Sequence, residues 1–200
     1  MARRGVRRGL SLVAAPEGWR LDALLGRLAE LSGGPCTAVL TLAFGLVREA
    51  QQRGEPVVWV TECTSSFFPP DAAAAGVDLA ALAVVRLRQP GGMALVADVL
   101  LRSGGFGLVV LDLGANAHLA ISAQTRLAGL AKKHHAALLC LTAKERAAPS
   151  LGSLVSLRAE AVRTGAEEGR FELVAGVLKD KRRSFGWRHR EVGHGPDGLC

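Results

Sequence analysis

Short apolar runs alternate with stretches of helical length through most of the chain, and that alternation restricts the fold more than any other feature. PVVWVT (56–61), FGLVVLDLG (106–114) and AALLCLT (136–142) are continuous in their apolar character, as strands covered on both faces must be, and AVVRL (83–87) reads as another strand. Between them, Thr37–Arg53, residues 90–105 and Ile121–His134 read as helices. In the first helix Val39, Leu40, Ala43, Leu46, Val47 and Ala50 share one face, and Gly54 is placed to stop it. Strand and helix in alternation predict an α/β fold, a mostly parallel sheet flanked by helices. After residue 150 the pattern changes. Residues 153–165 and 170–182 read as two strands joined by a short Glu/Gly turn, with WRHREV (187–192) as a third, so antiparallel strands are expected at the C-terminal end of the sheet. SSFFPPDAAAAG (65–76) reads as a loop around Pro69 and Pro70, and Asp78–Leu82 as one helical turn.

Charge is concentrated at the ends of the chain. The 200 residues carry a formal net charge of +7. Residues 1–20 hold five Arg and one Glu, and residues 170–190 hold seven Lys and Arg against two acids, whereas residues 21–169 are neutral overall. Positive charge localised in this way suits an anionic partner. The expected organisation is a basic N-terminal arm (1–20), one core domain (21–192) and a flexible tail (193–200). The apolar runs are strand-sized and fall short of the roughly 20 residues of a membrane helix. Leu10–Ala15 is short for a signal peptide, whose apolar region spans about 7–15 residues. A cytoplasmic protein is expected, and Cys36, Cys63, Cys140 and Cys200 follow no zinc or redox spacing.

LSGGPCTAVLTL (31–42) stands where an α/β nucleotide-binding protein keeps its phosphate loop. Gly33, Gly34, Pro35, Cys36 and Thr37 lead from an apolar run into a helix, but no lysine follows the glycines. A working loop needs backbone amides to cradle phosphates, a lysine to neutralise charge and a hydroxyl for magnesium. Pro35 also removes one amide. The expectation is a degenerate loop kept as a strand-turn-helix joint, with no catalytic residues, no ATPase activity, no cofactor and no metal. Adjacent His134 and His135 on a helix point about 100° apart and do not converge on one ion.

The order of RLAELSG (27–33), LTL (40–42), VVWVTE (57–62), GVDL (76–79), LVVLDL (108–113) and VLKDKRR (177–183) resembles the RecA recombinase core over roughly residues 20–192, least closely at 143–153. The resemblance puts Asp112 at the magnesium-linked aspartate and Glu62 near the water-positioning carboxylate. Without the lysine both are expected to be vestigial strand-end residues that bond to loop amides. It also asks for a helical turn at 21–25 and a strand at about 27–32. Propensity alone would read Arg20–Leu31 as one helix; Gly26 interrupts that segment and favours the strand. A degenerate core of this size looks like ImuA, the accessory protein of the bacterial SOS mutagenesis cassette. That implies a non-catalytic role in translesion synthesis with RecA and an inactive Y-family-like polymerase subunit as partners. The alternative is a SulA-type cell-division inhibitor that binds a tubulin-like GTPase, a more distant relative of the same core.

In KDKRRSFGWRHR (179–190), Lys179, Lys181, Arg182, Arg183, Arg188 and Arg190 surround Phe185 and Trp187. Cations can hold phosphates and aromatic rings can stack on bases, so nucleic-acid or acidic-partner contact is expected here. Two other readings stand beside it: a strand edge guarded by charges, and aromatic residues that belong to the core.

Overall fold

The computed structural model describes residues 18–34, 37–63, 67–88, 91–115, 117–165, 170–184 and 186–194. A helical turn, α1 (Leu21–Leu24), leads into β1 (Arg27–Ser32), α2 (Val39–Gln52) and β2 (Val57–Glu62). Then come α3 (Pro69–Ala74), a 3-10 turn (Leu79–Ala81), β3 (Leu82–Leu87), α4 (Met93–Ser103), β4 (Leu108–Asp112), α5 (Ile121–His134) and β5 (Ala137–Thr142). Three longer strands finish the chain: β6 (Leu157–Gly165), β7 (Arg170–Asp180) and β8 (Arg188–His194).

All eight strands lie in one sheet, ordered β3-β2-β4-β5-β1-β6-β7-β8. Pairing is parallel from β3 to β6 and antiparallel from β6 to β8. This is the expected α/β architecture with appended antiparallel strands. Gly26, in the left-handed conformation at φ 66°, separates α1 from β1, so the segment is not one helix.

Every residue of β1, β4 and β5 is buried, which explains the apolar runs of β4 and β5, whereas β1 carries Arg27 and Glu30 into the interior. Alternate residues of these strands feed two cores. On one face α1 and α2 cover Ala29, Leu31, Trp59, Val110 and Leu139. Trp59 meets Phe44 and Phe67 with ring centroids 5.3 and 5.1 Å away, inside the range of favourable aromatic pairs. On the other face α4 and α5 cover Leu28, Val58, Val60, Val109 and Leu138. Asp98 of α4 is buried between these two helices and pairs with Arg126 of α5 and Arg102.

Two sequence expectations need correction. The 65–76 segment is not all loop, because α3 occupies Pro69–Ala74. Its prolines sit in the first turn, where the missing N–H groups have no helical acceptor, so they start the helix. The penultimate hairpin begins at Leu157 and not at 153. Val155 is buried in the second core, and Ser156 is drawn to Arg27. The helical turn near 78 is present as Leu79–Ala81, capped by Asp78 Oδ1 accepting from the Ala80 amide at 2.9 Å.

Candidate functional site at the carboxyl edge of the sheet

In an open α/β sheet, ligands bind outside the carboxyl ends of the parallel strands. Here that edge gathers the turn after β1, Glu62 at the end of β2, Asp112 at the end of β4 and Thr142 at the end of β5. Backbone bonds tie these ends together: Gly33 N donates to Thr142 O at 3.2 Å, Leu113 N to Leu141 O at 3.0 Å and Ala143 N to Gly114 O at 2.9 Å.

The two glycines of the β1–α2 turn differ in role. A Cβ on Gly33 would lie 2.6 Å from Thr37 Oγ1 and 2.8 Å from Val39 Cγ2, so the turn folds back on that glycine. A Cβ on Gly34 would meet nothing within 4 Å. The N-cap of α2 is Ala38, whose side chain cannot cap the helix. Thr37 is half-buried at the turn; Pro35 and Cys36 lie outside the described residues. Asp112 Oδ2 accepts from Thr61 Oγ1 of the adjacent β2 at 3.1 Å, within the buried interior. Glu62 is half-buried at the end of β2.

A second buried polar group at this edge had escaped the sequence reading. Glu30, in the middle of β1, is fully buried and accepts from Thr142 Oγ1 (3.2 Å), Ser150 Oγ (2.8 Å) and Leu151 N (2.9 Å). Lys144 Nζ lies 3.7 Å away and Arg158 Nε 4.0 Å away. Arg158 in turn donates to Ala148 O at 2.5 Å and Glu145 O at 3.2 Å. Gln124 of α5 reaches Leu151 O at 3.0 Å. The β5–β6 connection is therefore drawn onto the body by side chains of β1, β6 and α5. The available signal was Glu30 itself: a carboxylate within an apolar strand needs buried partners.

The basic segment lies elsewhere and divides into two sets. Lys179 Nζ donates to Gly152 O at 3.3 Å, Lys181 Nζ to Ser153 O at 2.5 Å, and Arg182 to Leu25 O and Gly26 O at 3.0 and 3.2 Å. These three close the amino edge of β1 and β6, the edge opposite the β1–α2 turn. Burial, followed by repulsion from Lys181, pulls the Lys179 ammonium below its usual range. Arg183 stacks over Trp187, 5.7 Å from the ring centroid. Trp187 is half-buried against the first core and donates to Asp180 at 3.3 Å, so its ring packs inward. Arg188 and Arg190 face solvent from β8, Arg190 reaching Glu172 at 3.1 Å. Phe185 lies outside the described residues.

Clefts of about 520 Å³, lined by Arg48, Gln51, Gly76 and Asp78 among others, and about 190 Å³, lined by Glu55, Gly107 and His134 among others, also open at the amino edge. No helix among the described residues is long and apolar enough to cross a membrane.

The mostly parallel sheet, its flanking helices and the C-terminal antiparallel strands are those of a RecA-like α/β fold. No family model matches the chain. Among curated proteins, 90 residues are 37% identical to Protein RecA of Fusobacterium nucleatum subsp. nucleatum, covering 44% of this chain and 23% of that relative. Over 88 residues the chain is 34% identical to Protein RecA of Chlorobium limicola, again covering 44% of this chain, and 25% of that relative. The match thus spans about a quarter of the length of either relative.

Proposed function

We propose that this chain is a non-catalytic accessory protein of DNA-damage-induced translesion synthesis, of the ImuA kind. It acts through RecA, a Y-family-like polymerase subunit and, by its basic strands, DNA. The observation that carries the reading is the β1–α2 turn. Asp112 and Glu62 end β4 and β2 at the carboxyl edge, yet in the sequence Gly33 and Gly34 run on to Thr37 and Ala38 with no lysine to neutralise a β/γ-phosphate. A carboxylate without bound phosphate and magnesium has nothing to position. The partial identity to RecA supports the DNA-damage context. The anchored β5–β6 connection fits a rigid docking body better than a motor.

Calorimetric titration of ATP with magnesium, paired with pull-down against purified RecA and the polymerase-like subunit, tests this reading. The expected result is no nucleotide heat together with capture by at least one of the two proteins. Micromolar ATP binding, or turnover abolished by Asp112→Asn, would overturn the non-catalytic assignment. Capture of a tubulin-like GTPase with no binding to RecA or the polymerase-like subunit would move the chain to the division-inhibitor class.

A further inference from the structure

The helices that cover the second core leave one part of the sheet open. α4 lies over β2 and β4, and α5 over β1 and β5. In β6–β8 one face is closed, because Ala159, Ala161, Leu173, Ala175 and Val177 belong to the first core. The alternate residues point to the opposite face. Pairing sets Val162, Val174 and Arg190 side by side across its middle. Gly176 and Arg188 flank that row on one side, Glu172 and Val192 on the other. The β5–β6 connection covers the start of this face at Arg158 and reaches Glu160 through Arg146, at 3.0 Å. Beyond that point the face is open: Val162 is 37% and Val192 63% exposed. A Cβ on Gly176, in the central strand, would meet within 4 Å only Glu160 O, at 3.9 Å.

The chemistry of this face is an apolar floor with a cationic rim. Glu160 is matched by Arg146, and Glu172 by Arg190 at 3.1 Å. Arg188 is exposed on β8, as is Arg170 at the far end of β7, and neither meets a counter-charge among the described residues. Nucleic acid suits the face less well, because two carboxylates stand in it and its positions include no aromatic ring on which a base could stack. Size narrows the occupant further. At about 4.8 Å between strands and 3.3 Å per residue, the open area measures roughly 15 Å by 15 Å. That is far below the roughly 800 Å² per partner of a standard interface, so a second copy stacked sheet on sheet would not be stably held. A single helix, about 10 Å across and rising 1.5 Å per residue, fills the area with about ten residues. It would extend the layer of α4 and α5 across the rest of the sheet.

We propose that the open face of β6–β8 docks an amphipathic helix of a partner protein, apolar where it meets Val162, Val174 and Val192 and acidic where it meets Arg188 and Arg190. The proposal rests on the accessory reading for the idea of a protein partner, and goes beyond it by giving the docking surface and the chemistry of what docks there.

Fluorescence anisotropy of the full chain tests this with two labelled peptides of one composition, each about 12 residues long. In the first, leucines recur at helical spacing on one face with glutamates beside them; in the second the same residues are scrambled. The first should bind 1:1 with a Kd on the order of 10–100 μM, and the scrambled peptide about tenfold or more weakly. R188E and V192D should each weaken the first peptide by about tenfold. L95D, on the outer face of α4 where Leu95 is 70% exposed, should leave it unchanged. Far-UV circular dichroism should match wild type for all three variants. Equal binding of the two peptides would reduce the effect to charge and overturn the proposal. Absence of binding, or loss with L95D in place of R188E and V192D, would overturn it as well. Displacement of the peptide by oligo-dT, with direct oligo-dT binding lost in R188E, would assign the arginines to DNA: the helix site falls and the accessory reading, with its DNA contact, stands. Failure of the accessory reading itself is read separately, by ATP heat and by capture of RecA or the polymerase-like subunit.

Discussion

Arg27 and Asp180 meet at 2.5 Å with their side chains only 3% and 1% exposed, locking the start of the innermost strand to the end of β7. The pair is well supplied. Arg27 also donates to Ala23 O at 3.0 Å and to Ser156 O at 2.6 Å, and Asp180 accepts from the Arg182 amide at 2.9 Å and from Trp187 at 3.3 Å. Burial on its own would raise the Asp180 carboxyl. The hydrogen bond from Arg27, with the Arg182 amide, the Arg27 charge and Trp187, outweighs that and holds it below the usual carboxylate range.

Breaking this pair should therefore be severe and acid-sensitive. Asp180→Asn strands a buried guanidinium and should cost about 3–5 kcal/mol in urea unfolding at pH 7. A carboxyl depressed in the folded state stabilises above its unfolded value of about 3.9, and that contribution is lost as pH falls through the folded value. The stability gap between wild type and Asp180→Asn should narrow below about pH 4; a gap that holds constant into acid would contradict the assignment.

Glu30 gives a kinetic test. With Glu30→Gln, Lys144 and Arg158 lose their buried counter-charge, and Ser150 and Leu151 lose a charged acceptor. The β5–β6 connection should then open locally at lower free energy. Limited trypsin digestion followed by mass spectrometry should show faster cleavage after Lys144 and Arg146, with no change at sites outside the connection.

The paired glycines make opposite forecasts. Gly33→Ala forces a methyl against Thr37 and Val39 and should destabilise by about 1–3 kcal/mol. Gly34→Ala meets open space and should stay within about 0.5 kcal/mol of wild type. Equal losses at the two positions, measured by thermal unfolding, would mean that the turn does not fold back on Gly33.

The basic segment should separate under mutation in the same way. Arg182→Ala leaves Leu25 O and Gly26 O without their side-chain donor and should cost about 1 kcal/mol. Arg188→Gln removes an exposed charge and should change stability by less than about 0.5 kcal/mol. Chemical denaturation of the two variants side by side checks the sorting.

Legibility followed the range of the forces involved. The central strands could be read because burial on both faces writes itself locally as an apolar run, and Gly26 marked the change from α1 to β1. Arg182 shows the limit: composition counted it as one more cation, but its acceptors, Leu25 O and Gly26 O, lie at the other end of the sequence. Glu30 was passed over for the same reason, since its partner Ser150 is 120 positions away. Pro69 and Pro70 misled because proline marks both loops and first helical turns. At the β1–α2 turn the missing lysine was plain, but only coordinates separate the crowded Gly33 from the open Gly34.

The place of β1 in the sheet also sets a timetable. Arg27 lies beside Ala137, and Ala29 beside Leu157, so the first strand to be synthesised has neither neighbour until most of the chain exists. At 5–20 residues per second the nascent segment waits roughly 5–25 s with both of its hydrogen-bonding edges unpaired. On the ribosome, RLAELS is thus an aggregation-prone element for longer than any later strand of the parallel set, and Glu30 puts a charge in the middle of it during that wait.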